Sequence, residues 1–248
     1  MRYGLGHVII AVALGCVTPL SARAETVDVQ IVLAADVSLS VEDVEFLLQR
    51  QGYAAAVQSA DVLKAVRAGR HGAIAVCFVE YAGEGQQKMV VEWTIIRDEG
   101  SAAVFSASLL TPPRSFTGYA SLSGAIDFAT KQFGSGGLAA DRRIIIISAD
   151  GTNAAGRAVT AARDDAVADG ISISGLAIAN LAPKRKHIEH TQPPEGLDAY
   201  FRRNVIGGPG AFVVDLDDAG SSEAVIADAL RREILAAQAE SGVTKIGR

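Results

Sequence analysis

Unbroken apolar runs alternate with stretches in which apolar positions recur every three to four residues, and the alternation persists from Val27 to Ala237. The unbroken runs predict strands at Val27–Ala35, Ala73–Tyr81, Met89–Ile96, Arg143–Ser148, Ile171–Ile178 and Ala211–Leu216. Ile144-Ile145-Ile146-Ile147 has no polar face, which suits a strand covered on both sides, as in a parallel sheet. Between these runs, Val41–Gln58 carries Val44, Leu47, Leu48, Ala54 and Ala55 at helical spacing, with Ser40 and Asp43 as its expected N-terminal cap. Further helices are expected at Ser121–Phe133, Ala154–Ala168 and Ser221–Ala237, with a shorter one near Ser101–Leu110. The alternation predicts an α/β fold: a Rossmann-like, doubly wound, mostly parallel sheet with helices on both faces. Gln86-Gln87-Lys88 leaves no room for a helix between two strand runs. An antiparallel hairpin is therefore expected there, with Met89–Ile96 at an edge.

Composition narrows the setting. Residues 1–24 carry a basic Arg2, the apolar core Val8–Leu14 and the small-x-small sequence Ala22-Arg23-Ala24. That is the pattern of a secretory signal peptide cleaved near Ala24. Its core is too short to cross a bilayer, and no later segment is a transmembrane candidate. The expectation is a periplasmic or secreted protein whose residues 25–248 form one domain. Cys16, after Leu14-Gly15, leaves open a lipidated start. The formal net charge of −5 and the pI of about 5.4 argue against nucleic acid as a partner. Of the 2 cysteines, Cys16 lies in the leader and Cys77 inside a strand run, where a buried apolar thiol is expected.

The chemistry is concentrated in two places. Asp36-Val37-Ser38-Leu39-Ser40 puts one carboxylate and two hydroxyls at alternate positions where the first strand ends. In extended backbone, alternate residues point the same way, so three hard oxygen donors can converge on one point. Asp150, in Ser148-Ala149-Asp150-Gly151, follows the tetra-isoleucine strand. Ligands of open α/β sheets sit at the carboxyl ends of strands. If these two strands are neighbours, both carboxylates can serve one cation. Hard oxygen donors suit Mg²⁺, with Mn²⁺ or Ca²⁺ as alternatives.

From Val27 to about Leu235 the chain resembles a von Willebrand factor A domain, most closely an uncharacterised group of exported bacterial proteins. The matching residues are Asp36-x-Ser38-x-Ser40, the turn before Leu122-Ser123-Gly124-Ala125-Ile126, and Ile147-Ser148-Ala149-Asp150-Gly151. The resemblance implies a metal-ion-dependent adhesion site (MIDAS) with Asp36, Ser38 and Ser40 in its first loop and Asp150 in its third. It also implies non-enzymatic binding of a protein partner whose acidic side chain completes the coordination of the metal. The second loop departs from the pattern, because Ala120 stands where the family has a threonine ligand. Ser121 or Thr117 is the substitute donor, or water fills that place. A metal-free interaction scaffold is the alternative within binding modules.

A hydrolase is the alternative of another class. Ser38 stands where haloacid dehalogenase-like phosphatases need a second carboxylate, and no phosphate-binding glycine loop or nucleophile elbow appears. His187-x-x-His190, with Glu189 between, has the look of a zinc motif, but lies with Lys184, Arg185 and Lys186 in the Pro-rich stretch Pro183–Gly196, which reads as an exposed loop. Trp93 is expected to pack in the core, and Asn153 to serve as a turn residue.

Overall fold

The computed structural model describes residues 25–178, 193–216 and 222–243. Residues 1–24 with Cys16, and the stretch holding Lys184, Arg185, Lys186, His187, Glu189 and His190, lie outside the described residues.

Six strands form one sheet in the order β3-β2-β1-β4-β5-β6. They are β1 (Glu25–Asp36), β2 (Ile74–Tyr81), β3 (Gln87–Ile96), β4 (Leu138–Ala149), β5 (Ile171–Ile178) and β6 (Val213–Leu216). All neighbouring pairs are parallel except β2 with β3, the hairpin expected at that edge. The helices are α1 (Asp43–Gln58), α2 (Ala60–Ala68), α3 (Glu99–Leu110), α4 (Leu122–Gln132), α5 (Val159–Ala168), α6 (Leu197–Tyr200) and α7 (Ser222–Val243). A single π-turn, Phe201–Val205, continues α6.

The isoleucine run of β4 explains the layering. Ile144 and Ile146 enter one core with Ile31, Leu33 and residues of α1, α2, α3 and α7. Ile145 and Ile147 enter the other with Val32, Ala34 and residues of α4, α5 and the α6 segment. A period of two in a strand without polar positions therefore fills both faces. Burying each such side chain contributes roughly 1.5–3 kcal/mol, so the central strands are fixed most firmly.

Several element boundaries differ from expectation, each for a local reason. The first helix starts at Asp43 instead of Val41, and its capping box is Glu42 with Glu45 rather than Ser40 with Asp43. The Ser40 hydroxyl is bonded to Asp150 instead. The helix expected from Ala154 begins only at Val159. Loop hydrogen bonds hold residues 153–157, and Gly156 has φ of 81° in the left-handed region, where a Cβ would sit 2.7 Å from the hydroxyls of Ser121 and Ser123. The expected single helix Val41–Gln58 is followed by a second, α2, that the sequence pattern did not reveal. Ser59 breaks the two apart, capping α2 with a bond from the Val62 N–H to its hydroxyl.

Candidate metal centre

In the observed strand order β1 lies between β2 and β4, with the connections leaving in opposite directions on either side. That is the switch point where crevices open at the carboxyl ends of strands. Asp36 is the last residue of β1 and Asp150 directly follows β4, so the neighbour condition is met. Both carboxylates are buried, Asp36 completely.

The loop after β1 folds back on itself. The Ser38 N–H donates to Asp36 Oδ1 at 2.7 Å, a tight turn that aims the side chains of Asp36 and Ser38 to one side. Ser38 Oγ and Ser40 Oγ share a hydrogen bond of 3.0 Å, and Ser40 Oγ donates to Asp150 Oδ1 at 2.8 Å. A chain of oxygens thus joins the first loop to the third. Adjacent ligands of an octahedral ion with bonds of 2.0–2.1 Å stand about 3.0 Å apart. The observed separations match that edge length, so a cation could replace these hydrogen bonds with little rearrangement.

Asp36 Oδ2 is the telling atom. It is buried and takes no hydrogen bond among the described residues. Burial, and then the nearby charge of Asp150, pushes the Asp36 carboxyl up to about 8, against the opposing hydrogen bonds from Ser38 and the more distant Arg114. A buried polar oxygen without a partner is costly. A divalent cation supplies both a ligand bond and the charge that burial denies, and the donors present fit a hard ion.

The remaining expected donors are placed differently. Ser121 caps α4: its Oγ accepts from the Gly124 N–H at 3.1 Å and donates to the Ala155 carbonyl at 3.0 Å. Thr117 is exposed, one residue before Gly118, whose carbonyl accepts from the Leu39 N–H at 2.9 Å. The second loop is therefore tied to the first by backbone. Hydrogen bonds connect Asp36, Ser38, Ser40 and Asp150 into one group and leave Ser121 and Thr117 outside it. Ala120 packs its methyl group in the apolar core, while its carbonyl receives the N–H groups of Ala154 and Ala155.

Beneath the centre lies a polar floor that inspection of the sequence missed. The Tyr81 hydroxyl donates to the Ser148 carbonyl at 2.9 Å. Gln49 Nε2 and the Tyr53 hydroxyl both donate to Ser148 Oγ, at 3.1 and 3.2 Å. Burial, followed by the charges of Asp36 and Asp150, holds the Tyr81 phenol well above its ordinary range, so it stays a neutral donor. Beside this floor, Arg50 donates to Glu80 Oε1 from Nε and Nη2, at 3.1 and 2.5 Å, and from Nη1 to the carbonyls of Leu109 and Pro112. Glu80 Oε2 accepts the Ser115 N–H at 2.9 Å. The pair pins residues 112–115, which lead into the second loop. A glutamate one residue from the end of an apolar strand run was the available signal.

A family model described as "Protein of unknown function (DUF1194)" matches residues 26–238. Among solved structures, the conserved hypothetical protein BatB from Bacteroides thetaiotaomicron is 19% identical, with a TM-score of 0.51 over 84% of this chain and 98% of its own. A von Willebrand factor type A protein from Catenulispora acidiphila is 14% identical, with a TM-score of 0.53 over 87% of this chain and 43% of its own. Proximal thread matrix protein 1 from the mussel byssus, with a zinc-occupied MIDAS motif, is 13% identical, with a TM-score of 0.52 over 87% of this chain and 46% of its own. At such identities the likeness establishes the fold, which is of von Willebrand factor A type. No curated protein sequence matches the chain.

Proposed function

The chain belongs to the DUF1194 family and has a von Willebrand factor A-type fold, and from that premise we propose that it is an exported, non-enzymatic binding protein whose grip on a protein partner depends on a divalent cation. The observation that carries this reading is the buried, hydrogen-bond-free Asp36 Oδ2 beside the linked oxygens of Ser38, Ser40 and Asp150. Mg²⁺ is the expected ion, held by these four residues, directly or through water, at the crevice of the sheet. Two hydroxyls and two carboxylates leave coordination positions open, and an incompletely neutralised cation attracts an anion. A carboxylate of the partner would fill one. Leu39 and Tyr119, 51% and 74% exposed on the joined first and second loops, would meet the partner's surface around that carboxylate. Residues 1–24 would be the leader that exports the chain. No helix among the described residues is long and apolar enough to cross a membrane.

The test is capture from a library of surface-displayed peptides by the immobilised chain in Mg²⁺, followed by elution with EDTA. The expected result is a set of peptides sharing an Asp or Glu, each losing binding when that acid becomes Asn or Gln. Binding unaffected by EDTA would establish the metal-free scaffold instead.

Ala120→Thr probes the second loop. If the new hydroxyl turns away from the apolar core in which the Ala120 methyl packs and towards the centre, it adds one donor, and Mg²⁺ affinity measured by calorimetry should rise severalfold. An unchanged or weaker dissociation constant would show that residue 120 does not face the ion.

A further inference from the structure

We propose that Asp28, His71 and Asp141 form a second metal site, for a borderline ion such as Zn²⁺, at the amino-terminal rim of the sheet. Asp28 and Asp36 are separated by eight residues of extended strand, about 26 Å, so this site is remote from the carboxyl-rim centre and independent of the function proposed there.

The strands bring two carboxylates together. In the β1–β4 register, Asp28 lies between the pairs Val27–Ala140 and Val29–Arg142, level with Asp141. Two carboxylates side by side on adjacent strands repel each other. Asp28 is only 3% exposed, whereas the Asp141 side chain is 31% exposed.

The turn between α2 and β2 brings in the third group. Asp28 Oδ1 accepts the His71 N–H at 3.0 Å, Oδ2 accepts the Ala73 N–H at 3.3 Å, and the Asp28 N–H donates to the Ala73 carbonyl at 2.8 Å. The turn is clamped directly on the carboxylate: a Cβ on Gly69 would sit 2.1 Å from Asp28 Oδ2. This clamp delivers the imidazole, so that one ligand atom from each of the three residues lies within 4.8 Å of the other two.

His71 Nε2 indicates what belongs between them. The atom is shielded from solvent, although the His71 side chain is 24% exposed, and it makes no hydrogen bond among the described residues. Its distance to Asp141 Oδ2 is 3.6 Å, beyond hydrogen-bonding range. Two ligands bound at about 2.1 Å in tetrahedral geometry stand about 3.4 Å apart. The gap, within reach of an ion pair, also has the spacing of two ligands on a shared ion. One imidazole and two carboxylates favour Zn²⁺ or a similar transition ion over Mg²⁺ and leave a position for water. The ion would tie β1, β4 and the α2–β2 turn together.

The experiment uses the chelator-stripped chain carrying Asp36→Ala, which removes the carboxyl-rim centre. Co²⁺, whose visible absorption reports coordination geometry, and Zn²⁺ are titrated against it and against the same chain with His71→Asn added. The expected result is one equivalent fewer of bound Co²⁺ in the second protein, loss of the associated absorption band, and loss of a Zn²⁺-induced rise in Tm. Should His71→Asn disturb folding by circular dichroism, Asp141→Asn, on a partly exposed side chain, replaces it. Equal stoichiometry and affinity with and without His71 or Asp141 would overturn the proposal and leave a simple ion pair, as would absence of binding to the Asp36→Ala chain.

Discussion

Asp36→Ala should abolish the thermal stabilisation of the protein by Mg²⁺ while leaving it folded. In the unaltered chain, an ion that binds only the native state at a hundred times its dissociation constant adds about 2.7 kcal/mol. For a domain of this size that is a rise in Tm of roughly 5–10 °C. The variant loses the buried carboxylate around which the other oxygens gather, so its melting curve should not move with Mg²⁺. The same residue sets a pH dependence. Burial first, and then Asp150, pushes the Asp36 carboxyl up to about 8, while in the unfolded chain it titrates near its ordinary 3.8. Between those values the metal-free native state keeps a proton that the unfolded chain has lost. Metal-free stability therefore falls as pH rises from about 4 to about 8, by at most about 1.4 kcal/mol per pH unit. Mg²⁺ displaces that proton, so its stabilising effect should grow over the same range. Both the slope and the Mg²⁺ response should disappear together in Asp36→Ala. A variant that keeps its response to Mg²⁺ would refute the assignment of the centre.

Arg50→Met should be the most damaging single substitution at the rim. It leaves Glu80, fully buried, with only the Ser115 N–H, and strips the carbonyls of Leu109 and Pro112 of their donor. Breaking a buried ion pair by removing one partner costs about 3–5 kcal/mol. A fall in Tm of about 10 °C or more is expected, with weaker Mg²⁺ binding because residues 112–115 lose their anchor. The double variant Arg50→Met, Glu80→Leu should recover most of the stability, since no charge is then left buried alone. If the single substitution shifts the urea midpoint by less than 1 kcal/mol equivalent, the pair is not what holds the loop.

The two substitutions separate contributions that the fold places side by side. In the proposed centre Asp36 would act on the ion itself, and its loss should be felt only when metal or pH is varied. Arg50 acts on the loop that frames the candidate centre, through Glu80 at the end of β2, the Leu109 carbonyl in the last turn of α3 and the Pro112 carbonyl beyond it. A cation near the end of a helix also suits the partial negative charge that gathers there.

Much of the architecture was written in hydrophobic pattern. The tetra-isoleucine run could only be a strand with two covered faces, and the β2–β3 connection was too short for anything but a hairpin. The carboxylate and two hydroxyls at the end of β1 likewise marked the loop whose oxygens the structure links, although a tight turn after Asp36, and not extended backbone, brings them together. These features depend on neighbours within a few residues, and local sequence is enough to specify them. What tertiary structure decided was everything that depends on which strands are adjacent and what surrounds a side chain. Ser40 could cap a helix or reach Asp150, 110 residues away, and only the meeting of β1 with β4 favoured the second. Arg50 and Glu80 meet only through packing, which buries both and satisfies them with each other, with the carbonyls of Leu109 and Pro112 and with the Ser115 N–H, where an unpaired charge would be costly. Asp28, His71 and Asp141 carried no motif, since their juxtaposition arises from strand register and a turn clamped onto a buried carboxylate.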